Sequence, residues 1–254
     1  MNMLKLLMAA FGWSRLYAIP PGYENPQQPM AVSETFVPDQ LIAGRFPLVT
    51  MQNVLLTGGA ALNRGSVLGQ VTVGTPPTTG TATGGNTGNG TITAVAAGSK
   101  TQVGVYTVKF TAATAYNVFD PNGRMLEPGA AAGAYPAGGG AAQETDLSFT
   151  FTAGGTAMVA GDSFTITVPA GSGKYKLAAS TAVDGSQTPC AILGDYTDAS
   201  GGDVNCAIYA SGEFNSNFLT FGSGITASSA AAVLRDAGIY LRSVLPATGN
   251  ITNF

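Results

Sequence analysis

Short runs of alternating apolar and polar residues, separated by glycine-containing turns, constrain the fold of this chain most strongly. Between residues 91 and 170, the runs VGVYTVKF, LSFTFT and DSFTITV repeat with the two-residue period of half-buried β-strands. Asp120-Pro121-Asn122-Gly123 is typical of a tight turn, because proline presets φ and glycine accepts a positive φ. The pattern predicts a mainly β fold, with a small β-sandwich in this part of the chain.

The chain is poor in charge, which bears on how it stays in solution. Only 10% of its 254 residues are charged, against about a quarter in an average protein. Soluble monomers normally rely on mixed surface charge, so this composition favours association into an oligomer or onto a larger surface. The net charge is −3 and the 11 basic residues are scattered. They form no basic patch, and we therefore expect no nucleic-acid binding.

The residue types needed for the commonest enzyme mechanisms are missing. The chain has no histidine, which removes the commonest general base and the commonest transition-metal ligand. Gly171-Ser172-Gly173-Lys174 resembles a phosphate-binding loop, but it lacks the leading glycine, and Tyr175 stands where Ser or Thr would hold magnesium. We expect a turn before a strand there. We also expect no catalytic residue, no cofactor and no metal site in the chain.

A cluster of three aspartates and one further aspartate are candidates for a metal site and a catalytic site. Asp195, Asp198 and Asp203 lie in one glycine-rich loop and are candidate calcium ligands. However, their spacing does not match an EF-hand, and aspartate is a common turn residue. Asp184-Gly185 lacks a carboxylate partner for acid–base chemistry. We interpret it as a turn, which Pro189 closes before a buried strand.

Two apolar strands follow that turn, and each carries one of the two cysteines. The strand-like runs are CAIL at 190–193 and VNCAIYASGEF at 204–214. We interpret Cys190 and Cys206 as small buried thiols, because free cysteine is among the most buried residue types. A disulfide between the two adjacent strands is the alternative, and it would require an oxidising compartment.

The first 35 residues predict a segment that contacts another molecule. The start of the chain resembles the core of a signal peptide, but we interpret it as a short amphipathic helix, with apolar residues at helical spacing. A membrane-surface helix is the weaker alternative, because only Lys5 and Arg15 would meet lipid headgroups. Prolines favour extended chain in the arm at residues 12–35. The candidate contact residues are Leu4, Leu7, Met8, Phe11, Trp13, Tyr17, Tyr23 and Phe36.

The end of the chain predicts its one clear helix. Thr226 is a candidate N-cap, and Gly238 is expected to end the helix. A strand is predicted to follow at residues 239–245. The apolar stripe of the helix is predicted to comprise Ala230, Val233, Leu234 and Ala237.

Residues 36–73 predict strands at Pro47–Thr50, Val54–Thr57 and Ser66–Val73. This segment contains the string RGSVLG, and residues 172–245 contain LRDAGIYL. In combination, which is more specific than any single motif, these two segments resemble the head decoration protein family of tailed bacteriophages, the relatives of the lambda capsid-stabilising protein D. The motif and core residues are Asp39, Leu41, Gly44, Pro47, Arg64, Gly65, Gly69, Asp184, Gly185, Pro189, Gly212 and Phe214.

The resemblance also implies a division of the chain. In short members of the family, a strand like LGQVTV is followed directly by one like GKYKLAA. Here residues 74–171 intervene, which we interpret as an inserted β-sandwich-like domain that begins with a Gly/Thr-rich linker or exposed loop at 74–98. The decoration-protein core would then be β-rich, with one short C-terminal helix, and would comprise 36–73 plus 172–254. Residues 1–35 would form the N-terminal helix and the extended capsid-binding arm.

The resemblance implies a structural virion protein rather than an enzyme. Such a protein forms homotrimers on the outer capsid surface, binds the major capsid protein and stabilises the shell against DNA pressure. It contacts neither nucleic acid nor membrane directly, and it is made in the host bacterial cytoplasm. The alternative is a phage surface adhesin or fibre module, in which the inserted domain binds a receptor or glycan. Exposed Tyr106, Tyr116 and Tyr135 would then be contact candidates, although burial in the strand core is the commoner outcome for tyrosine. An enzyme of unknown type is a distant third.

Overall fold

The computed structural model describes residues 40–57, 59–130, 133–136 and 146–243. The predicted N-terminal helix, the arm at 12–35, every candidate contact residue of the arm and Asp39 lie outside these ranges. The described residues confirm a mainly β fold, with several antiparallel sheets and one α-helix near the C-terminus.

The elements are numbered in chain order, and the single α-helix among the described residues, α1 (Ala227–Asp236), lies between the last two described strands. A 3-10 turn at Ser216–Phe218 follows the fifteenth strand. The strands are β1 (Val49–Leu56), β2 (Ala61–Leu62), β3 (Val67–Gln70), β4 (Thr81–Ala82), β5 (Thr91–Ala97), β6 (Gly104–Ala112), β7 (Ala115–Phe119), β8 (Gly129–Ala130), β9 (Gly133–Tyr135), β10 (Leu147–Thr152), β11 (Ser163–Val168), β12 (Tyr175–Leu177), β13 (Pro189–Leu193), β14 (Thr197–Asp198), β15 (Val204–Asn215) and β16 (Ile239–Arg242).

Strands from both ends of the described chain form one six-stranded sheet, in the order β1-β12-β3-β13-β15-β16. β1 also pairs with β15, so five of these strands close into a ring and β16 adds to it in parallel. Leu68 and Leu193 belong to one buried apolar cluster. Val67 and Ile192, which are their neighbours in the chain, pack instead with α1 in a second cluster. This division follows from the alternation of side chains along a strand.

β1 is one strand where the sequence predicted two. It runs from Val49 to Leu56 and pairs with β15, but the register shifts between Val49 and Thr50 and again between Met51 and Val54. Such irregularities let one strand continue through residues that do not alternate. The polar residues after Met51 therefore interrupt the ladder instead of forming a turn. β3 is shorter than predicted, ending at Gln70.

The helix begins and ends where the sequence predicted. The side chain of Thr226 accepts a hydrogen bond from the backbone N–H three residues later, which makes it the N-cap. Gly238 lies just beyond the last helical turn. Of the predicted stripe, Ala230 and Leu234 are buried, but Val233 is exposed. The prediction for Val233 was wrong because this short helix buries a narrower stripe than its sequence offers.

The two ends of the inserted segment, residues 74–171, lie side by side. β3 and β12 are distant in sequence but pair antiparallel, with Gln70 opposite Tyr175. The ladder continues beyond them, because Val73 pairs with Ala170. Adjacent ends are what an insertion at a hairpin tip requires. The domain boundaries themselves stay a prediction.

Within the inserted segment, two sheets share one hydrophobic core. A three-stranded sheet has the order β5-β10-β9, and a five-stranded sheet has the order β4-β11-β6-β7-β8. Both contribute inward-facing side chains to the core, which we call the sandwich core. It comprises Val73, Ile92, Val95, Tyr106, Val108, Phe110, Tyr116, Val118, Tyr135, Leu147, Phe149, Phe151, Met158, Phe164, Ile166 and Val168.

Three of these core residues are the tyrosines that the adhesin interpretation took as exposed. Tyr106, Tyr116 and Tyr135 are 0%, 1% and 3% exposed. Each occupies an inward position in the alternation of its strand. The structure confirms the commoner outcome, burial in the strand core, and the exposure that the adhesin alternative required is wrong. These side chains are not available to a receptor or glycan.

The Gly/Thr-rich stretch at residues 74–98 is not simply the predicted linker or exposed loop, although most of residues 75–89 are exposed. It contains β4 and β5, and Ile92 and Val95 of β5 are buried in the sandwich core. A Cβ on Gly90 would overlap the ring of Phe151, so the backbone approaches the core as closely as only glycine allows. The composition was misleading because glycine here permits close packing.

Polar side chains secure the same stretch. The carboxylate of Asp162 accepts the backbone N–H groups of Thr87 and Gly88 at 2.8 and 2.9 Å. The side chain of Asn86 exchanges two hydrogen bonds with the backbone of Ser163, at 2.8 and 2.9 Å. The bonds to Asp162 satisfy the N–H groups of two residues that lie outside the strands, and those of Asn86 add to the backbone bond between Thr83 N–H and the Ser163 carbonyl.

Candidate interaction surface

Motif residues before β1 hold the entry of the described chain against β15. Leu41 is buried, and its carbonyl accepts a hydrogen bond from the N–H of Asn215 at 2.8 Å. Phe214 is fully buried, and its backbone forms a β-bridge with Ile42. Both side chains belong to the apolar cluster that includes α1. These contacts fix where the chain enters the fold.

The next motif residues allow the segment before β1 to approach β15 closely. A Cβ on Gly44 would overlap the carboxylate of Glu213, and a Cβ on Gly212 would lie 2.6 Å from Cδ2 of Leu48. The Pro47 carbonyl accepts a hydrogen bond of 3.0 Å from a serine of β15. The segment before β1 therefore lies directly on β15 at positions where side chains are small or absent.

A second group of motif residues lies around β3 and β13. Arg64 Nε donates to the carbonyl of Gly194 at 3.1 Å, and its Nη2 contacts the hydroxyl of Tyr209 at 3.4 Å. Gly65 N–H donates to the carbonyl of Leu193 at 2.9 Å. Arg64 and Gly65 thus join the turn before β3 to β13 and β15.

The turn before β13 packs against β3. Pro189 stands opposite Gly69 in the ladder between β13 and β3. A Cβ on Gly69 would overlap the backbone of Ser186, which is fully buried. Gly185 lies beside Ser186 in this turn. The structure therefore brings Gly69, Gly185 and Pro189 together, although they are far apart in sequence.

Asp184 has a structural environment. Its Oδ2 lies 2.7 Å from Nζ of Lys176, and its Oδ1 accepts hydrogen bonds from the backbone N–H and hydroxyl of Ser186, at 3.1 and 2.6 Å. Burial alone would raise the pKa of Asp184, but these bonds together hold it below its ordinary value. The Asp184 carboxylate therefore stabilises the turn.

The other aspartates considered as a site serve local contacts. Asp198 Oδ1 accepts hydrogen bonds from the N–H and hydroxyl of Ser200, and Asp203 pairs with Lys174. Asp195 accepts the N–H of the next residue. Within the part of the chain that the structure describes, no group of three or more Cys, Asp or Glu side chains could hold a metal ion.

The two cysteines are free thiols. Cys206 is buried and Cys190 half-buried, and burial raises the pKa of both. The ladder between β13 and β15 sets Leu193 opposite Ile208. If this antiparallel register is continued by two residues, Cys206 stands opposite Asp195. Cys190 lies five residues before Asp195 in the sequence, so it is not opposite Cys206. The alternative of a disulfide between these strands was therefore wrong.

Sequence reasoning missed an exposed apolar patch at the start of β1. Phe46, Leu48, Val49 and Met51 are 39%, 40%, 52% and 45% exposed, within six consecutive residues. The run FPLVTM shows no alternation, and that is the signal that could have found it, because a half-buried strand would alternate. With Tyr240, these residues are called the β1 apolar surface.

The β1 apolar surface crosses from the chain entry to β16. The rings of Phe46 and Tyr240 lie 4.9 Å apart at an angle of 60°. An ion pair between Glu213 and Arg242, at 2.7 Å, stands at the rim. The patch thus has an apolar centre and a polar edge, which is the usual anatomy of a protein interface.

One edge of β1 is available for pairing over its first half. β1 pairs with β15 along its length but meets β12 only at Leu56. Val49, Thr50, Met51 and Gln52 are all exposed, so both faces of this half are accessible. Among the described residues, no strand pairs with the second edge from Val49 to Gln52. A strand edge with exposed apolar side chains favours binding of another chain.

The chain resembles known proteins at the level of a family. A family profile described as bacteriophage lambda head decoration protein D matches residues 30–239. No curated protein matches the chain. Two crystal structures of Xanthomonas campestris FlgL align at 23% identity, covering 42% and 44% of this chain and 33% and 31% of the FlgL chain, with TM-scores of 0.28 and 0.27. Those alignments are too weak to indicate a shared fold. No helix in the described ranges is long and apolar enough to cross a membrane.

Proposed function

Because the chain belongs to the bacteriophage lambda head decoration protein D family, we propose that it assembles as a homotrimer on the outer surface of a phage capsid. There it binds the major capsid protein and stabilises the shell against the pressure of packaged DNA. The family is one of structural capsid proteins, and binding is the activity proposed for this chain. The protein is made in the host cytoplasm and reaches the capsid after folding.

The β1 apolar surface is the observation that supports this binding role. The chain enters the described fold at Gln40, and Ile42 pairs at once with Phe214. A few residues later Phe46 packs on Tyr240. The described residues just before β1 therefore lie beside the β1 apolar surface. We assign this surface and the arm to one partner, the major capsid protein.

Two modes of contact follow from this placement. The second edge of β1 can accept a strand of the capsid protein through backbone hydrogen bonds, while Val49 and Met51 bury apolar area. The proline-rich arm at residues 12–35 can lie extended along the same partner. Three copies in one trimer make later contacts intramolecular, so modest single affinities combine into durable attachment. Such attachment bridges neighbouring capsid subunits and resists their separation.

The inserted segment leaves this surface open. All members of the β1 apolar surface lie outside residues 74–171, and the segment begins and ends at one paired position, Val73 opposite Ala170. These facts support a decoration-protein core of 36–73 plus 172–254 that carries an inserted domain directed away from the capsid.

Two variants test the assignment by co-sedimentation with expanded capsids that lack the protein. One lacks residues 1–32, and the other carries Leu48→Ser, Val49→Thr and Met51→Gln. We expect each to reduce affinity at least about tenfold, because central apolar contacts dominate interface energetics. Val105→Thr with Val159→Thr is the matched control, since both valines are exposed on the inserted segment.

The outcomes separate the parts of the proposal. Full affinity of the truncated protein would refute the arm, and full affinity of the triple variant would refute the surface. Sedimentation velocity measures the trimer in parallel. If the triple variant becomes monomeric, the β1 apolar surface belongs to the contact between subunits and not to the capsid.

A further inference from the structure

The loop formed by Asp184, Gly185, Ser186 and Gln187, called the 184–187 loop, contacts both the core and the inserted segment. Oε1 of Gln187 accepts the N–H of Gly185 at 2.8 Å, which holds the amide in place. Nε2 of the same side chain donates to the carbonyl of Ser99 at 3.0 Å. Ser99 belongs to the inserted segment, so this hydrogen bond crosses the proposed domain boundary.

The same loop contacts the place where the inserted segment leaves the core. The chain passes outward at Thr72 and Val73 and returns at Ala170 and Gly171, where Gly171 N–H donates to the carbonyl of Thr72 at 2.9 Å. The carbonyl of Asp184 accepts the N–H groups of both Thr72 and Val73, each at 2.9 Å. The two passing segments, called the neck, are therefore held from a third side.

The fit between the loop and the neck is close. Gly185 has φ +96°, and a Cβ there would overlap the hydroxyl of Thr72. The neighbouring Ser186 is fully buried, and Lys176 fixes the carboxylate of Asp184. The 184–187 loop therefore packs closely against the neck. Buried Ser186 and the contact between Lys176 and Asp184 stabilise the conformation of the loop.

On the other side, the loop meets a rigid part of the inserted segment. Ser99 lies in a turn in which Gly98 N–H donates to Oγ1 of Thr101 at 2.8 Å, and Thr101 N–H donates to the carbonyl of Gly98 at 3.1 Å. Thr101 is buried, and its hydroxyl also donates to the carbonyl of Asp146. The turn that contains Ser99 is therefore fixed to the sandwich, and a hydrogen bond to Ser99 restrains the position of the sandwich as a whole.

We propose that the 184–187 loop sets the orientation of the inserted sandwich relative to the core. A two-segment neck alone bends and twists easily, since an isolated pair of strands is only marginally stable. Contacts at the neck and at Ser99, which are separate points, restrict that motion. This inference rests on the proposed domain division. It implies that each copy in an assembled particle presents its sandwich in one fixed direction.

The test measures the orientation directly in the full-length protein. Spin labels are placed at Val159→Cys on the inserted segment and Ser228→Cys on α1, both exposed positions, in a background with Cys190→Ala and Cys206→Ala. Labelled chains are diluted with unlabelled chains, so that distances within one chain are observed by pulsed electron resonance. We expect one narrow distance distribution.

Two substitutions then perturb the loop at its two contacts. Gln187→Leu removes the hydrogen bond to Ser99 and also the one that Gln187 accepts from Gly185 N–H, and Gly185→Ala forces the loop away from Thr72. For Gln187→Leu, we expect the population of other orientations to rise about fivefold, which corresponds to ~1 kcal/mol, because only the bond to Ser99 joins the loop to the inserted segment. Asn122→Ala is the control, because its side-chain bond to Gln102 lies wholly inside the inserted segment.

An unchanged distribution in folded Gln187→Leu would overturn the proposal, as would equal broadening in Asn122→Ala. If Gly185→Ala does not fold, Gln187→Leu decides alone. Capsid co-sedimentation is expected to be unchanged in Gln187→Leu, since the β1 apolar surface is untouched. A failure of the orientation proposal is therefore distinguishable from a failure of the proposed function.

Discussion

Tyr116 and Tyr135 lie together in the sandwich core but differ in one hydrogen bond. Their rings are 6.1 Å apart, and both are nearly inaccessible to solvent. The hydroxyl of Tyr135 donates to the carbonyl of Glu127 at 2.9 Å, whereas that of Tyr116 has no partner among the described residues. Burial raises the pKa of Tyr116 to about 12 and that of Tyr135 still further. Both rings remain neutral at physiological pH.

The paired substitutions Tyr116→Phe and Tyr135→Phe should therefore have opposite signs. We expect Tyr116→Phe to raise the free energy of unfolding by ~1 kcal/mol, because a buried unpaired hydroxyl is removed. We expect Tyr135→Phe to lower it by ~1 kcal/mol, because a buried carbonyl loses its donor. Urea unfolding measures both, and destabilisation by Tyr116→Phe would show that its hydroxyl has a partner.

At the scale of single residues, the sequence indicated inward and outward positions but not which tyrosines were buried. The alternation of VYTVKF is visible in the sequence, and it puts Tyr106 on the same face as Val108 and Phe110. The structure assigns the face of Tyr106 to the core because β10, from a distant part of the chain, supplies Phe149 and Phe151 opposite it. Pairings of this kind depend on tertiary contacts.

At the scale of elements, Asp162 organises the Gly/Thr-rich stretch that carries β4 and β5. Its carboxylate accepts the N–H groups of Thr87 and Gly88 and also that of Val159, at 3.0 Å. These backbone hydrogen bonds, led by that from Thr87, hold the pKa of Asp162 below its ordinary value. A carboxylate with a lowered folded-state pKa stabilises the fold above its unfolded-state pKa, which is about 4. This stabilisation is lost as the pH falls through the lower, folded-state pKa.

Asp162→Asn should therefore lower the melting temperature at pH 7 and flatten the loss of stability below about pH 4. An amide offers one acceptor oxygen in place of two, so some of the three backbone N–H groups lose their partner. Calorimetry across pH measures both effects. Asp198→Asn is the control, because that exposed carboxylate serves only a local turn with Ser200. An equal effect in the control would contradict the anchoring role of Asp162.

Elements with local signals were predictable, and elements without them were not. The N-cap of α1 and the Asp120-Pro121-Asn122-Gly123 turn use contacts within a few residues, such as the N–H of Gly123 donating to the carbonyl of Asp120 at 2.9 Å. β1 continues through its irregular centre because β15 pairs with it on both sides of the interruption. That partner lies about 150 residues later in the sequence, where no local pattern can indicate it.

At the scale of the whole molecule, the paired neck makes the inserted segment removable. We expect a chain with residues 74–171 replaced by an Asn-Gly turn to fold, form trimers and bind capsids, because the retained residues Val71 and Gly173 already lie side by side, with Gly173 N–H donating to the carbonyl of Val71 at 2.9 Å. Circular dichroism, sedimentation velocity and capsid co-sedimentation measure the three properties. Loss of folding would show that the inserted segment belongs to the core, and the domain division would be wrong.

The sequence alone determined the class of fold, the strand periods, the helix caps and the family. Each rests on signals within a few residues or on short strings that can be read in order. Only the tertiary structure decided that β1 and β15 close a ring, that glycine-rich residues 74–98 are ordered, and that FPLVTM is exposed beside the chain entry. Those features depend on which distant segments meet. Burial and strand pairing are properties of the assembled chain, and local composition does not encode them.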